Sequence, residues 1–215
     1  PSPRGRRAPP DSERWSLMPF EFPEGLAPEV YPLAWLVGSW RGEGVVKYPG
    51  IEETPFVHDV VFDHDGGPYL RYESTLRVLD AAVPETVPAE GEWPERDEAT
   101  LDAAAAASPV WSTETGYWRV STDRPEGLED DRHPLEVLVA DPAGRVSVYL
   151  GAVGNGRVDL ASDLIARTST ASEVTASKRL YGFVEGQLLW VWELAAFGQP
   201  LQSYASAKLT RRPSA

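Results

Sequence analysis

Three histidines, His58, His64 and His133, are the chain's only imidazoles, and cysteine is absent. Thiol nucleophiles, thiolate-bound zinc, iron–sulfur clusters and disulfide scaffolds are thereby excluded. His58 and His64 stand in Phe56-Val57-His58-Asp59-Val60-Val61-Phe62-Asp63-His64, where even positions carry Phe56, Val60 and Phe62 and odd ones Asp59 and Asp63. Period-2 alternation puts both imidazoles on the inward face of one strand. At 3.3 Å per residue they lie roughly 20 Å apart, too far to hold one metal ion together. His133, in Asp130-Asp131-Arg132-His133-Pro134, reads as an exposed turn. There is no GxSxG elbow, and nothing marks two of the 33 acidic residues as a working pair, so a hydrolase is poorly supported.

The most unusual local feature is Gly38-Ser39-Trp40-Arg41-Gly42-Glu43-Gly44, three glycines threaded through what should be the first strand. Glycine weakens a strand interior and is kept where the strand bends, or where a ligand or second backbone comes close. Two readings follow: a ligand contact at Gly38 and Ser39, or pure curvature with Trp40 plugging one end. Eight tryptophans and eight tyrosines supply flat apolar surface with polar tips, suited equally to a pocket lining and to a core.

These residues need a scaffold. From Trp35 onward the chain breaks into short Val-, Tyr-, Trp-, Phe- and Thr-rich runs separated by Gly, Pro, Asp and Asn, which predicts about ten antiparallel strands. Their cores are 36–47, 55–64, 68–79, 115–122, 134–140, 145–152, 157–167, 173–184, 188–196 and 202–211. Short connections predict an all-β, up-and-down meander closed into a calycin-like barrel. A segment from about 80 to 113, with Pro84, Pro88, Pro94 and the run Ala103 to Ala107, reads as an insertion. Thr100-Leu101-Asp102 and the alanines could form a short helix, stable only if packed on the barrel; decoration is favoured over a lid. Residues 1–27 read as a flexible arm and 28–215 as the barrel domain. A net charge of −13 argues against nucleic acid and anionic membrane as main partners. With neither a secretory leader nor an 18-residue apolar span, the expected address is the cytoplasm.

The strand layout resembles the nitrobindin family, ten-stranded barrels of fatty-acid-binding-protein-like shape, over roughly Leu33 to Arg211. Four segments carry the resemblance. The family's GxWxGxG opening stands here as Gly38, Trp40, Gly42 and Gly44, with Ser39 where the family often has threonine. Val60-Val61-Phe62-Asp63-His64-Asp65-Gly66-Gly67-Pro68-Tyr69-Leu70, Ala166-Arg167-Thr168-Ser169-Thr170-Ala171-Ser172-Glu173-Val174-Thr175 and Gly198-Gln199-Pro200-Leu201-Gln202 follow in the same order.

The resemblance implies a ferric haem b held in the barrel mouth by a histidine from the last strand, nitric oxide binding, and isomerisation of peroxynitrite to nitrate. Here the sequence departs. Where the family has His-Leu after its Gln-Pro-Leu-Gln segment, this chain has Ser203-Tyr204-Ala205, so Tyr204 takes the axial position. Tyrosinate can ligate ferric haem but needs a nearby cation to lower a pKa near 10. Strict alternation puts Ser206 and Lys208 on the face of Tyr204. Ser172 replaces a lysine expected near a haem propionate. The favoured expectation is a nitrobindin-like barrel without histidine-ligated haem and with no other cofactor. It would keep a cavity for a small hydrophobic ligand, with His58, His64 and Ser172 as pocket candidates, or a non-catalytic role. The rivals are a haem-binding peroxynitrite isomerase using Tyr204 or a pocket histidine, and a macromolecular interaction scaffold. The sequence does not fix the oligomeric state.

Overall fold

A computed structural model describes residues 22–79 and 96–213. Ten strands close into one antiparallel barrel: β1 (Gly38–Tyr48), β2 (Ile51–Asp63), β3 (Leu70–Val78), β4 (Val110–Val120), β5 (His133–Asp141), β6 (Arg145–Gly154), β7 (Arg157–Arg167), β8 (Val174–Val184), β9 (Gln187–Ala196) and β10 (Gln202–Arg211). Each strand pairs with its neighbours in sequence, and β1 pairs with β10, so no edge is left open. Alternation does the sorting: Trp40, Val46, Phe56, His58, Val60, Phe62, Tyr72, Trp118, Tyr181, Trp190 and Leu209 all turn inward and are buried.

The barrel has two unlike ends. At one, a 3-10 helix (Pro28–Leu36) inserts Val30, Leu33 and Leu36 into the core. There the Trp40 indole N–H donates to the Leu36 carbonyl at 2.8 Å, and the Arg211 guanidinium lies 4.2 Å from the Trp40 ring centroid. At the other end, the mouth, the β1–β2, β5–β6, β7–β8 and β9–β10 connections gather with the start of β4. Pairing is irregular only toward that mouth. The register shifts fall beside Tyr48, Trp111, Asp163, Thr175 and Tyr204. Bulges of this kind bend a strand and re-aim a side chain.

The expected insertion divides into three parts. Residues 80–95, with Pro84, Pro88 and Pro94, lie outside the described residues, as does the expected arm up to residue 21. A helix follows, α1 (Glu98–Ala107), whose first turn is capped by the Asp97 carboxylate accepting from Thr100 N–H at 2.8 Å. Residues 110–113 belong to β4, which starts five residues earlier than the sequence predicted, because exposed Val110 and Trp111 form a strand end rather than a loop. Helix α1 lies against the outer wall, its Leu101 and Ala105 covering the outward-facing Val57. Asp102 pairs with Arg41, and Arg212 reaches Glu98 and Asp102. The helix therefore clads the wall and does not cover the mouth. No described helix is long and apolar enough to cross a membrane.

Candidate functional site

Two features could do chemistry inside this barrel: a buried ion pair at mid-height and an aromatic ring of side chains at the mouth. The ion pair joins Glu114 on β4 to Arg179 on β8, 8% and 3% exposed. Both guanidinium nitrogens engage the carboxylate, Nη1 to Oε2 at 2.6 Å and Nη2 to Oε1, and the Tyr72 hydroxyl donates to Oε2 at 3.1 Å. Burial alone would push the Glu114 carboxyl up. The Arg179 charge and hydrogen bonds, with that of Tyr72, outweigh it and hold the carboxyl below its ordinary value. Burial likewise opposes the charge on Arg179, yet the Glu114 carboxylate raises its pKa well above the ordinary guanidinium value.

Arg179 also carries the aromatic layer above it. Its guanidinium carbon lies 4.4 Å from the Trp192 ring centroid and 5.1 Å from that of Tyr149. The Tyr149 hydroxyl and the Trp192 indole N–H both donate to Ser177 Oγ, at 2.9 and 2.8 Å. Trp192 in turn packs edge-on against Tyr204 at 4.9 Å, and Tyr48 closes on Tyr204 from the other side at 5.8 Å. Phe197, exposed beside Tyr48, has φ 53°, a conformation that bulky side chains rarely adopt.

Tyr204 faces the mouth for a reason that alternation misses. It is the extra residue of the β10 bulge: Ser203 pairs with Glu193 and Ala205 with Trp192, leaving Tyr204 unpaired. The bulge breaks the expected shared face with Ser206 and Lys208. Those two are half-buried and out of phase with the buried Ala205, Ala207 and Leu209. The Tyr204 hydroxyl accepts the Trp111 indole N–H at 3.0 Å. Its pKa is raised, because burial disfavours the phenolate more than the Trp111 hydrogen bond and the Arg145 charge favour it.

All three histidines stand away from Tyr204. His58 does point inward, fully buried, sharing a 2.8 Å hydrogen bond with Ser74 Oγ and lying 4.7 Å from the Trp190 ring. Thr54, Val46 and Ala205 lie level across β2, β1 and β10, so His58 sits four residues deeper, roughly 13 Å along the wall. Burial lowers its pKa to about 4, against the opposing charges of Glu114 and Asp59 and with that of Arg179. His64 follows β2, and His133 opens β5, both at the closed end. Among the described residues no three His or carboxylate side chains are grouped to hold a metal ion.

The glycine-rich opening lies apart from the mouth as well. Ser39 is exposed at the closed end, its carbonyl accepting from Arg212 N–H at 2.8 Å. A Cβ on Gly42 would collide with the Lys208 carbonyl, and one on Gly44 with the Ser206 carbonyl and the Phe56 ring. Those two glycines serve close strand packing, and Gly38, at φ 129° with the Arg211 guanidinium over it, starts the strand. Ser172, in the β7–β8 loop at the mouth end, is exposed. A shallow groove of about 630 Å³, lined by Tyr69, Tyr117, Arg119, Glu136, Leu138, Val148 and Leu150, runs on the outside of β3–β6 and touches none of the expected site residues.

Sequence reasoning missed the Glu114–Arg179 pair. Parity held the signal, since Glu114 is in phase with buried Trp118 and Arg179 with buried Tyr181.

Comparison with known proteins agrees with this architecture. Residues 29–211 match the model of a family described as the THAP4-like, heme-binding beta-barrel domain. A ferric nitrobindin-like protein of Beutenbergia cavernae is 46% identical, over 90% of this chain and 99% of that protein. A peroxynitrite isomerase of Parafrankia sp. is 40% identical, over 88% and 82% respectively. The crystal structure of Rv2717c from M. tuberculosis superposes with a TM-score of 0.65 at 30% identity, covering 87% of this chain and 99% of that one. With a closed ten-stranded barrel, a family match across nearly all of it and relatives at this level of identity, the chain belongs to the nitrobindin family of THAP4-like, heme-binding beta-barrel domains.

Proposed function

We propose that this protein is a nitrobindin-like barrel without an axial haem ligand, and that its mouth serves as a binding site for a small apolar molecule. The observation that carries the reading is the state of Tyr204. Iron coordination by tyrosine needs the phenolate, yet burial raises this phenol's pKa and its oxygen already accepts a hydrogen bond from Trp111. Glu114 neutralises Arg179, the charge nearest the aromatic layer, and Arg145 is engaged by Asp141 at 3.0 Å. Among the described residues the Trp111 hydrogen bond and the Arg145 charge do not offset burial. The family's group does not fit these residues, and no isomerase step is assigned to them.

What these residues can do is bind. Trp111, Trp192 and Tyr204 present flat apolar faces, and the Tyr204 hydroxyl supplies a fixed polar point among them. The test is the visible spectrum of the purified protein after addition of haemin. The expected result is a weak, broad Soret band unchanged in Tyr204→Phe; a sharp one-to-one band abolished by that substitution would overturn the proposal.

A further inference from the structure

Trp111 and Tyr204 share an unusual origin. Each is the extra residue of a bulge: on β4, Ser112 pairs with Leu76 and Val110 with Arg77, leaving Trp111 unpaired, as Tyr204 is on β10. Going round the barrel, β4 and β10 are separated by β1, β2 and β3 on one side and by the five strands β5–β9 on the other. Their 3.0 Å hydrogen bond therefore runs across the mouth as a chord close to a diameter. Two bulges on nearly opposite walls thus aim two aromatic side chains at each other over the opening.

The two halves are held unequally. Tyr204 is wedged between Tyr48 and Trp192. Trp111 is 47% exposed and has no ring partner among the described residues; the bond to Tyr204 is its tie to the far wall. The Tyr204 hydroxyl accepts that bond, and among the described residues its own proton meets no acceptor.

We propose that Trp111 is the specificity-determining residue of the mouth: it forms a clasp with Tyr204 that a flat ring system must open to enter. This rests on the reading of the mouth as a ligand site. The favoured ligand is a flat apolar ring system bearing an oxygen acceptor. Once the indole has swung out, the ligand's face lies on the Tyr204 and Trp192 rings, and its oxygen takes the Tyr204 proton. The single hydrogen bond makes opening cheap.

The test uses metal-free protoporphyrin IX as probe, with association followed by stopped-flow fluorescence for the wild type, Trp111→Phe, Trp111→Ala and Tyr204→Phe. Trp111→Phe removes the hydrogen bond and narrows the ring, and Tyr204→Phe keeps both rings but removes the hydrogen bond together with the proton offered to the ligand; with the clasp released, each should associate about fivefold faster than wild type. Trp111→Ala removes the indole and should associate more than tenfold faster. Equal rates for all four proteins would overturn the clasp while leaving the mouth as a ligand site. If none binds the porphyrin, the ligand site and the clasp fail together. Because the probe carries no iron, a tyrosinate ligand found with haemin would overturn the preceding proposal without changing these rates.

Discussion

The Glu114 carboxylate and the Arg179 guanidinium form a two-pronged ion pair inside a barrel otherwise packed with aromatic rings, and that pair underlies the mouth. Arg179 sits beneath Trp192, and Trp192 beside Tyr204. A buried pair of this kind adds little net stability, because both charges lose water, but breaking it leaves one charge stranded. Glu114→Gln is therefore expected to lower unfolding stability by about 3–5 kcal/mol, and Glu114→Met with Arg179→Met to recover most of that loss. Urea denaturation of the three proteins checks it; a double variant as unstable as the single one would contradict the assignment.

His58 makes stability pH-dependent. Its folded pKa, about 4, lies below the ordinary 6.5, so the unfolded chain binds a proton that the folded protein refuses. Its contribution is complete above pH 6.5 and is lost as pH falls toward 4, about 3 kcal/mol in all. Urea midpoints measured between pH 7 and pH 4.5 should fall for the wild type, with a shallower fall in His58→Phe. Parallel curves for the two proteins would show that another group titrates there.

Much of this barrel is legible in the sequence. Strand parity in Phe56 to Phe62 indicated the inward face of β2, and nine of the strand cores lie within four residues of their observed bounds. Illegible were the bulges. A single added residue at Tyr204 or Trp111 reverses local parity, and nothing in Gln202-Ser203-Tyr204-Ala205 distinguishes a bulge from regular strand. The Glu114–Arg179 contact was hidden for a different reason. The two are 65 residues apart, and only closure of the barrel brings β4 opposite β8.

Gly44 of β1 and Gly182 of β8 contrast packing with openness. Gly44→Ala should cost at least about 2 kcal/mol, because its Cβ meets backbone and the buried Phe56 ring, whereas Gly182→Ala, with open space around it, should stay within about 0.5 kcal/mol of wild type. Thermal denaturation distinguishes them. A Gly44→Ala protein of unchanged stability would contradict the close-packing role.

Helix α1 should matter to stability and not to uptake. Leu101→Ala opens the contact with Val57 and is expected to cost about 2 kcal/mol. Porphyrin association should keep its wild-type rate, since the helix lies on the outer wall. A changed rate would make the helix a lid.

On the proposed reading a phenol stands where the family's iron-binding imidazole would be, and the Tyr204→His variant restores that imidazole. Haemin titration followed in the Soret region should show weak, unsaturated binding by the wild type and a one-to-one complex at least a hundredfold tighter in the variant. A wild type that already binds haemin one-to-one, no more weakly than Tyr204→His, would contradict the account.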